Sequence, residues 1–159
     1  LLAPQEYDLK DFIIPVAEDA KGSFAESILI FQGLVFIFDN QIDAAKKHFQ
    51  SLLDRTDNPM SQTLSQLYLL QIALLEGDHE KAEQYASIRS VKSFLSLKMA
   101  DMQIMQAWYQ FLVKKDMDQT DKAIKIARQN MGTSRLVRDE KRYYENWLAE
   151  LEEELAEGV

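Results

Sequence analysis

Apolar residues recur along this chain at three- and four-residue intervals, the period of one helix face, without the strict alternation of half-buried strands. The first periodic run opens with Ser23-Phe-Ala-Glu26, which reads as a capping box: the serine accepts from an early helix amide and the glutamate reaches back to the serine amide. The apolar stretch Ile28 to Phe38 follows, and Asp39-Asn40 ends it, Asn being one of the few residues at ease in the left-handed conformation. A second helix is predicted from Ile42 to Arg55, with Ile42, Ala45, Phe49, Leu52 and Leu53 on one face. Asp57-Asn58-Pro59 stops that helix and starts a third, since Pro is tolerated in the first helical turn. The third runs to Glu76, where Gly77-Asp78 closes it. Further helices are predicted over His79 to Arg89, Phe94 to Lys115, Gln119 to Met131 and Arg135 to Ala156. In the last, Leu136, Tyr144, Leu148, Leu151 and Leu155 form one stripe and glutamates form the other face.

Six of these seven helices pair into hairpins whose turns align. The aligned turns are Asp39-Asn-Gln-Ile-Asp-Ala-Ala45, Glu76-Gly-Asp-His-Glu-Lys-Ala82 and Met117-Asp-Gln-Thr-Asp-Lys-Ala123. Each ends in an alanine at the same offset, where a small side chain lets the second helix pack closely on the first. Glu76-Gly77-Asp78-His79-Glu80-Lys81-Ala82 resembles the core of a tetratricopeptide repeat, with Gly-Asp at the turn and an acidic residue just before Ala. Gly33 and Phe36, followed by Ala45 and Phe49, also stand at the family's spacings. The alanines are 37 and 41 residues apart, against the family's 34, and Ala86 and Ala127 stand where the family has a bulky residue. The resemblance therefore covers residues 24–131 as a divergent repeat. It implies an all-α fold: a right-handed stack of about three antiparallel hairpins with a C-terminal capping helix. The expected division is an N-terminal extension over residues 1–22, the hairpins over 23–132, and a capping helix with an acidic tail over 133–159.

Composition narrows the function. The 159 residues carry a net charge of −8, which argues against nucleic acid as the main partner, because such binding relies on Lys and Arg neutralising phosphates. There is no cysteine, which removes disulfides and thiolate chemistry and fits a reducing, cytoplasmic setting. Gly and Pro number only 5 and 3, too few for a fold of many short strands. The run Ile28–Phe38 is about half the length needed to span a bilayer, so no membrane insertion is expected. The chain opens Leu-Leu-Ala-Pro without a basic n-region, so it is read as an excised portion of a longer protein and not as a signal peptide.

No metal, cofactor or catalytic constellation is expected. His48 and His79 have no companions at metal-ligand spacing, and the serines read as caps or helix-surface residues. The basic run Lys122, Lys125, Arg128, Arg135, Arg138, Lys141 and Arg142 could receive an acidic segment or phosphates, but its interleaving with Asp139, Glu140 and Glu145 favours a solvated face. The family resemblance implies a concave face built from first helices. It would carry Ile30, Leu34, Ile37 and Phe38 in the first hairpin, Leu67, Gln71, Leu74 and Leu75 in the second, and Met105, Trp108, Leu112 and Lys115 in the third. Chaperone-binding members place Lys, Arg and Asn there to clamp a peptide carboxylate, and this face is apolar instead. The partner-binding residues expected from it are Ile30, Leu34, Ile37, Leu67, Gln71, Leu74, Met105, Trp108 and Leu112.

The function expected is a protein–protein interaction scaffold or adaptor, not an enzyme, holding an apolar or amphipathic polypeptide segment, as a subunit of an assembly would. The alternative is a peptide- or effector-sensing regulatory domain of a larger protein. So large an apolar face calls for a cover: residues 1–20 with Phe12-Ile-Ile-Pro-Val16, the last helix, a second copy of the chain, or the partner.

Overall fold

The computed structural model describes residues 17, 21–87, 96–133 and 138–157, and among them every regular element is helical. The helices are α1 (Ser23–Phe38), α2 (Ile42–Arg55), α3 (Pro59–Glu76), α4 (His79–Ala86), α5 (Ser96–Tyr109), α6 (Met117–Thr133) and α7 (Arg138–Glu157). A π-helical turn, Gln110–Lys114, continues α5. The Phe12–Val16 segment, the expected ends of helices at Arg89, Phe94 and Arg135, and Leu136 lie outside the described residues. Among those described, no helix is long and apolar enough to cross a membrane.

Short polar side chains set the boundaries. Asn58 Oδ1 accepts from the Met60 amide at 3.0 Å, Asp78 Oδ1 from that of Lys81 at 3.0 Å, and Asp116 Oδ1 from that of Gln119 at 2.9 Å. Each satisfies an amide that the first helical turn leaves without a partner. Three residues take positive φ at the opposite ends: Asn40 at 58°, Gly77 at 68° and Lys115 at 55°. The start of α1 differs from the expected capping box. Gly22 stands at its cap position with φ 105°, Ser23 is already helical, and the Glu26 carboxylate is engaged elsewhere. Its Oε2 accepts from Thr56 Oγ1 at 2.9 Å and from Ser61 Oγ at 2.6 Å, joining the start of α1 to the end of α2 and the start of α3. A buried carboxylate needs such donors, and tertiary contact outcompetes the local cap.

From α1 to α5, successive helices pack against one another in opposite directions, and α7 packs on α5. Between α1 and α2, Glu26 meets Thr56, Leu29 accepts from His48 Nε2 at 2.7 Å, and Phe36 meets the His48 ring edge-on. Between α2 and α3, the Phe49 and Tyr68 rings are 5.2 Å apart and Lys46 pairs with Glu76. Gln66 of α3 donates to the Tyr85 carbonyl of α4 at 3.1 Å, and Gln106 of α5 to that of Ala86 at 3.0 Å. The interior comprises three apolar clusters in series. The first joins α1, α2 and α3 around Leu29, Phe49, Leu52 and Ile72. The second joins α3, α4 and α5 around Leu67, Leu70, Ala82 and Met105. The third joins α5, α6 and α7 around Ile104, Ala127, Leu148 and Leu151. Because α3 and α5 each serve two clusters, they are buried on two faces, and α3 is accordingly almost continuously buried from Leu67 to Ala73.

The three aligned alanines, Ala45, Ala82 and Ala123, fall one in each cluster and all are buried. Gly33 makes the closest approach. A Cβ there would stand 2.4 Å from Phe49 Cζ, and Phe49 is fully buried and has nowhere to move. Gly-to-Ala in a helix interior ordinarily stabilises by about 1 kcal/mol. Overpacking reverses the sign here, so Gly33→Ala should destabilise by about 1–3 kcal/mol in urea unfolding. A raised unfolding midpoint would contradict the packing of α1 on α2.

Candidate functional site

A concavity lies where α3, α5 and α7 converge. It has a volume of about 240 Å³ and is lined by Gln71, Leu74 and Leu75 of α3, by Met105 and Trp108 of α5 with Leu112 of its π turn, and by Trp147, Glu150 and Glu154 of α7. The helical period explains each contribution. Gln71, Leu74 and Leu75 are three and four residues apart, as are Met105, Trp108 and Leu112. Trp147, Glu150 and Glu154 form the corresponding stripe on α7, beside the buried pair Leu148 and Leu151 that anchors this helix to α5 and α6.

Five of the nine expected partner-binding residues meet in this cavity: Gln71, Leu74, Met105, Trp108 and Leu112. Leu75, expected on the same face, joins them and is 46% exposed, a ready apolar contact at the rim. The other four lie elsewhere. Ile30 and Ile37 are buried in the first cluster, and Leu34 packs half-buried against it. Leu67 is fully buried in the second cluster. The expected face therefore does not form one open groove along all three first helices. The residues near α1 are held by the chain's own packing, and the accessible part is confined to α3 and α5. The last helix was expected as one possible cover of this face, but Trp147, Glu150 and Glu154 were not named among the site residues. The spacing of Trp147, Glu150 and Glu154 beside the leucine stripe was the available signal.

The lining is mixed: six apolar side chains stand beside Gln71, Glu150 and Glu154. Gln71 is only 4% exposed, yet its side chain makes no hydrogen bond to any described residue and its amide is not sealed off from the cavity. Trp108 Nε1 is sealed from solvent without an acceptor, while the indole meets the Phe111 ring edge-on at 6.5 Å. An unpartnered buried polar group costs about 1–3 kcal/mol, which a ligand that pairs with it recovers. Glu150 is half-buried and Glu154 exposed, and neither has an ion-pair partner among the described residues. The nearby lysines are engaged: Lys114 pairs with Glu83, and Lys115 Nζ lies 5.7 Å from the Phe111 ring centre. The Glu83 carboxylate beside it raises the Lys114 pKa above its ordinary value and keeps it cationic. The lining contains no nucleophile–base pair. What this arrangement can do is enclose an apolar group and pair with polar groups at its edge.

The other groups singled out in the sequence are accounted for by packing or solvent. His48 donates to the Leu29 carbonyl and His79 is exposed at the start of α4. Among the described residues no three His, Asp or Glu side chains are grouped to hold a metal. In the basic run, Lys125 pairs with Asp121, and Arg128 donates to both Glu152 oxygens at 2.7 and 2.8 Å, tying α6 to α7. Arg135 lies outside the described residues. A second depression, between α2 and α4, is lined by Lys46, Lys47, Gln50, Ser51, Asp54, Arg55, Lys81 and Tyr85. It is broad and open, and Glu76 already holds Lys46.

No protein-family model, curated protein or solved structure matches this chain.

The chain's two tryptophans both line the cavity, so intrinsic fluorescence reports on it selectively. Unpaired carboxylates at the rim should draw cations in and keep anions out. Caesium should quench the emission more than iodide does, by roughly twofold at low ionic strength after each is normalised to free N-acetyltryptophanamide. Equal normalised quenching would contradict an acidic rim.

Proposed function

We propose that the chain is a protein–protein interaction scaffold of tetratricopeptide-like hairpins that docks an apolar or amphipathic polypeptide segment in the α3–α5–α7 cavity. The repeat reading is supported by the opposed pairing of α1 with α2 and α3 with α4, by the buried Ala45, Ala82 and Ala123, and by the left-handed Gly77. The last helix then serves as the capping helix, burying Tyr144, Leu148 and Leu151 on α5 and α6.

The observation that carries the binding reading is the cavity lining: two indoles, three leucines and a methionine, with two glutamates at the rim, around one buried amide that has no hydrogen-bond partner among the described residues. Interface anchors are apolar or aromatic side chains seated in such pockets. The alternative, recognition of a small effector by a regulatory domain, fits the dimensions less well. Ligand pockets typically run about 300–1,000 Å³, and this one, at about 240 Å³, suits an anchoring side chain of a longer segment.

Leu75 offers a test that spares the fold, since exposed positions usually change stability by about 0.5 kcal/mol or less. Peptides of about 15 residues, four helical turns, can be selected from a displayed random library against the purified chain. They should carry apolar anchors at helical spacing and shift the tryptophan emission on binding. Leu75→Lys should weaken them about tenfold or more with its melting temperature unchanged. Selected peptides that leave the emission unchanged, or that bind Leu75→Lys as tightly, would contradict docking at this cavity.

A further inference from the structure

The rim of the cavity carries charge of one sign. Glu150 and Glu154 stand on the α7 stripe that faces Leu74, Leu75 and Leu112, and Glu157 continues that stripe one turn later. None of the three carboxylates is paired with a described residue, whereas Glu152, on another side of the same helix, is held by Arg128. The C-terminal end of α7 adds the negative pole of its peptide dipoles in the same place. Among the described residues no Lys or Arg lines the cavity, and Lys114, Lys46 and Lys115 are engaged with Glu83, Glu76 and the Phe111 ring. A half-buried carboxylate such as Glu150 loses hydration without gaining a counter-charge from any described residue. Two indoles line the same space, and an indole face attracts a cation. The buried Gln71 amide offers a carbonyl oxygen to any N–H donor that enters.

From this juxtaposition we infer that the docked segment is basic: an amphipathic helix that seats an apolar side chain between Trp108 and Trp147 and places Lys or Arg against Glu150 and Glu154. The inference rests on the docking reading above and adds the partner's charge. A basic segment matches the cavity twice over, through an apolar anchor within and cations at the edge, and the chain's net charge of −8 steers such a partner toward it. An acidic segment would set like charges together in a partly desolvated site.

Three synthetic helical peptides test this. They share one apolar face, contain no tryptophan, and differ only in carrying Lys, Gln or Glu on the flanks of that face. Binding is read from the emission of Trp108 and Trp147. The Lys peptide should bind about fivefold or more tighter than the Gln peptide, with the Glu peptide weakest, as two partly exposed ion pairs allow. Raising salt from about 50 mM to about 300 mM should shrink that preference. Glu150→Gln combined with Glu154→Gln should remove the preference for the Lys peptide over the Gln peptide. Removing the same charge elsewhere on α7, as Glu145→Gln with Glu153→Gln, should leave the preference intact, which separates a local rim from net charge. Melting curves confirm that both double variants fold. If the three peptides bind equally, or if the preference survives Glu150→Gln/Glu154→Gln, the basic-partner inference is overturned and the docking reading stands. If no peptide changes the emission, both fall together.

Discussion

The burial of Leu148 and Leu151 against α5 and α6 decides what kind of surface this chain presents. Both leucines are fully enclosed, among Ile104, Ala107, Phe111, Ile124 and Ala127. Each such burial is worth about 1.5–3 kcal/mol, enough to fix α7 in one position along the α5–α6 pair. With these two side chains fixed, the helical period places Trp147, Glu150 and Glu154 over the flank of α5 that α6 does not cover. A flank of Met105, Trp108 and Leu112 that would otherwise meet water becomes one wall of a bounded cavity. The Arg128–Glu152 pair reinforces the placement at the surface, where its own contribution is small.

The same logic of shared faces extends toward the N-terminus. Because α3 and α5 each belong to two apolar clusters, neither has a free face to form a long open groove. Close approach makes the sharing feasible: Gly33 admits the Phe49 ring, and alanines at the aligned positions bring α2, α4 and α6 near their partners. Phe24 and Phe31, seven residues apart on one side of the largely apolar α1, remain 78% and 37% exposed.

Much of the architecture was legible in local chemistry. The bounds of α1, α2 and α3 agree with the expectation because Asn40, Asn58-Pro59 and Gly77-Asp78 are turn and cap residues whose preferences need no tertiary support. The fate of Glu26 was not legible. Ser-x-x-Glu is a local pattern, but the carboxylate's donors are 30 and 35 residues away, and only the packing of α1 on α2 and α3 brings them within reach. The cavity was half legible. Helical spacing placed Gln71, Leu74, Met105, Trp108 and Leu112 on one side, yet it gave no measure of how far neighbours would bury Ile30, Ile37 and Leu67. Nor could periodicity show that Glu150, which reads as part of a solvated face, would turn inward over α5.

Everything at the cavity follows from α7 being held by its leucines, so the most direct measurement is the unfolding of Leu148→Ala followed by tryptophan emission. A fully buried leucine truncated to alanine ordinarily costs about 2–5 kcal/mol. The account predicts a loss of that size in one cooperative urea transition, together with a red-shifted native emission as Trp147 loosens over α5. Wild-type stability with an unchanged native spectrum would mean that α7 is not seated on α5 and α6, and the cavity it completes would not exist.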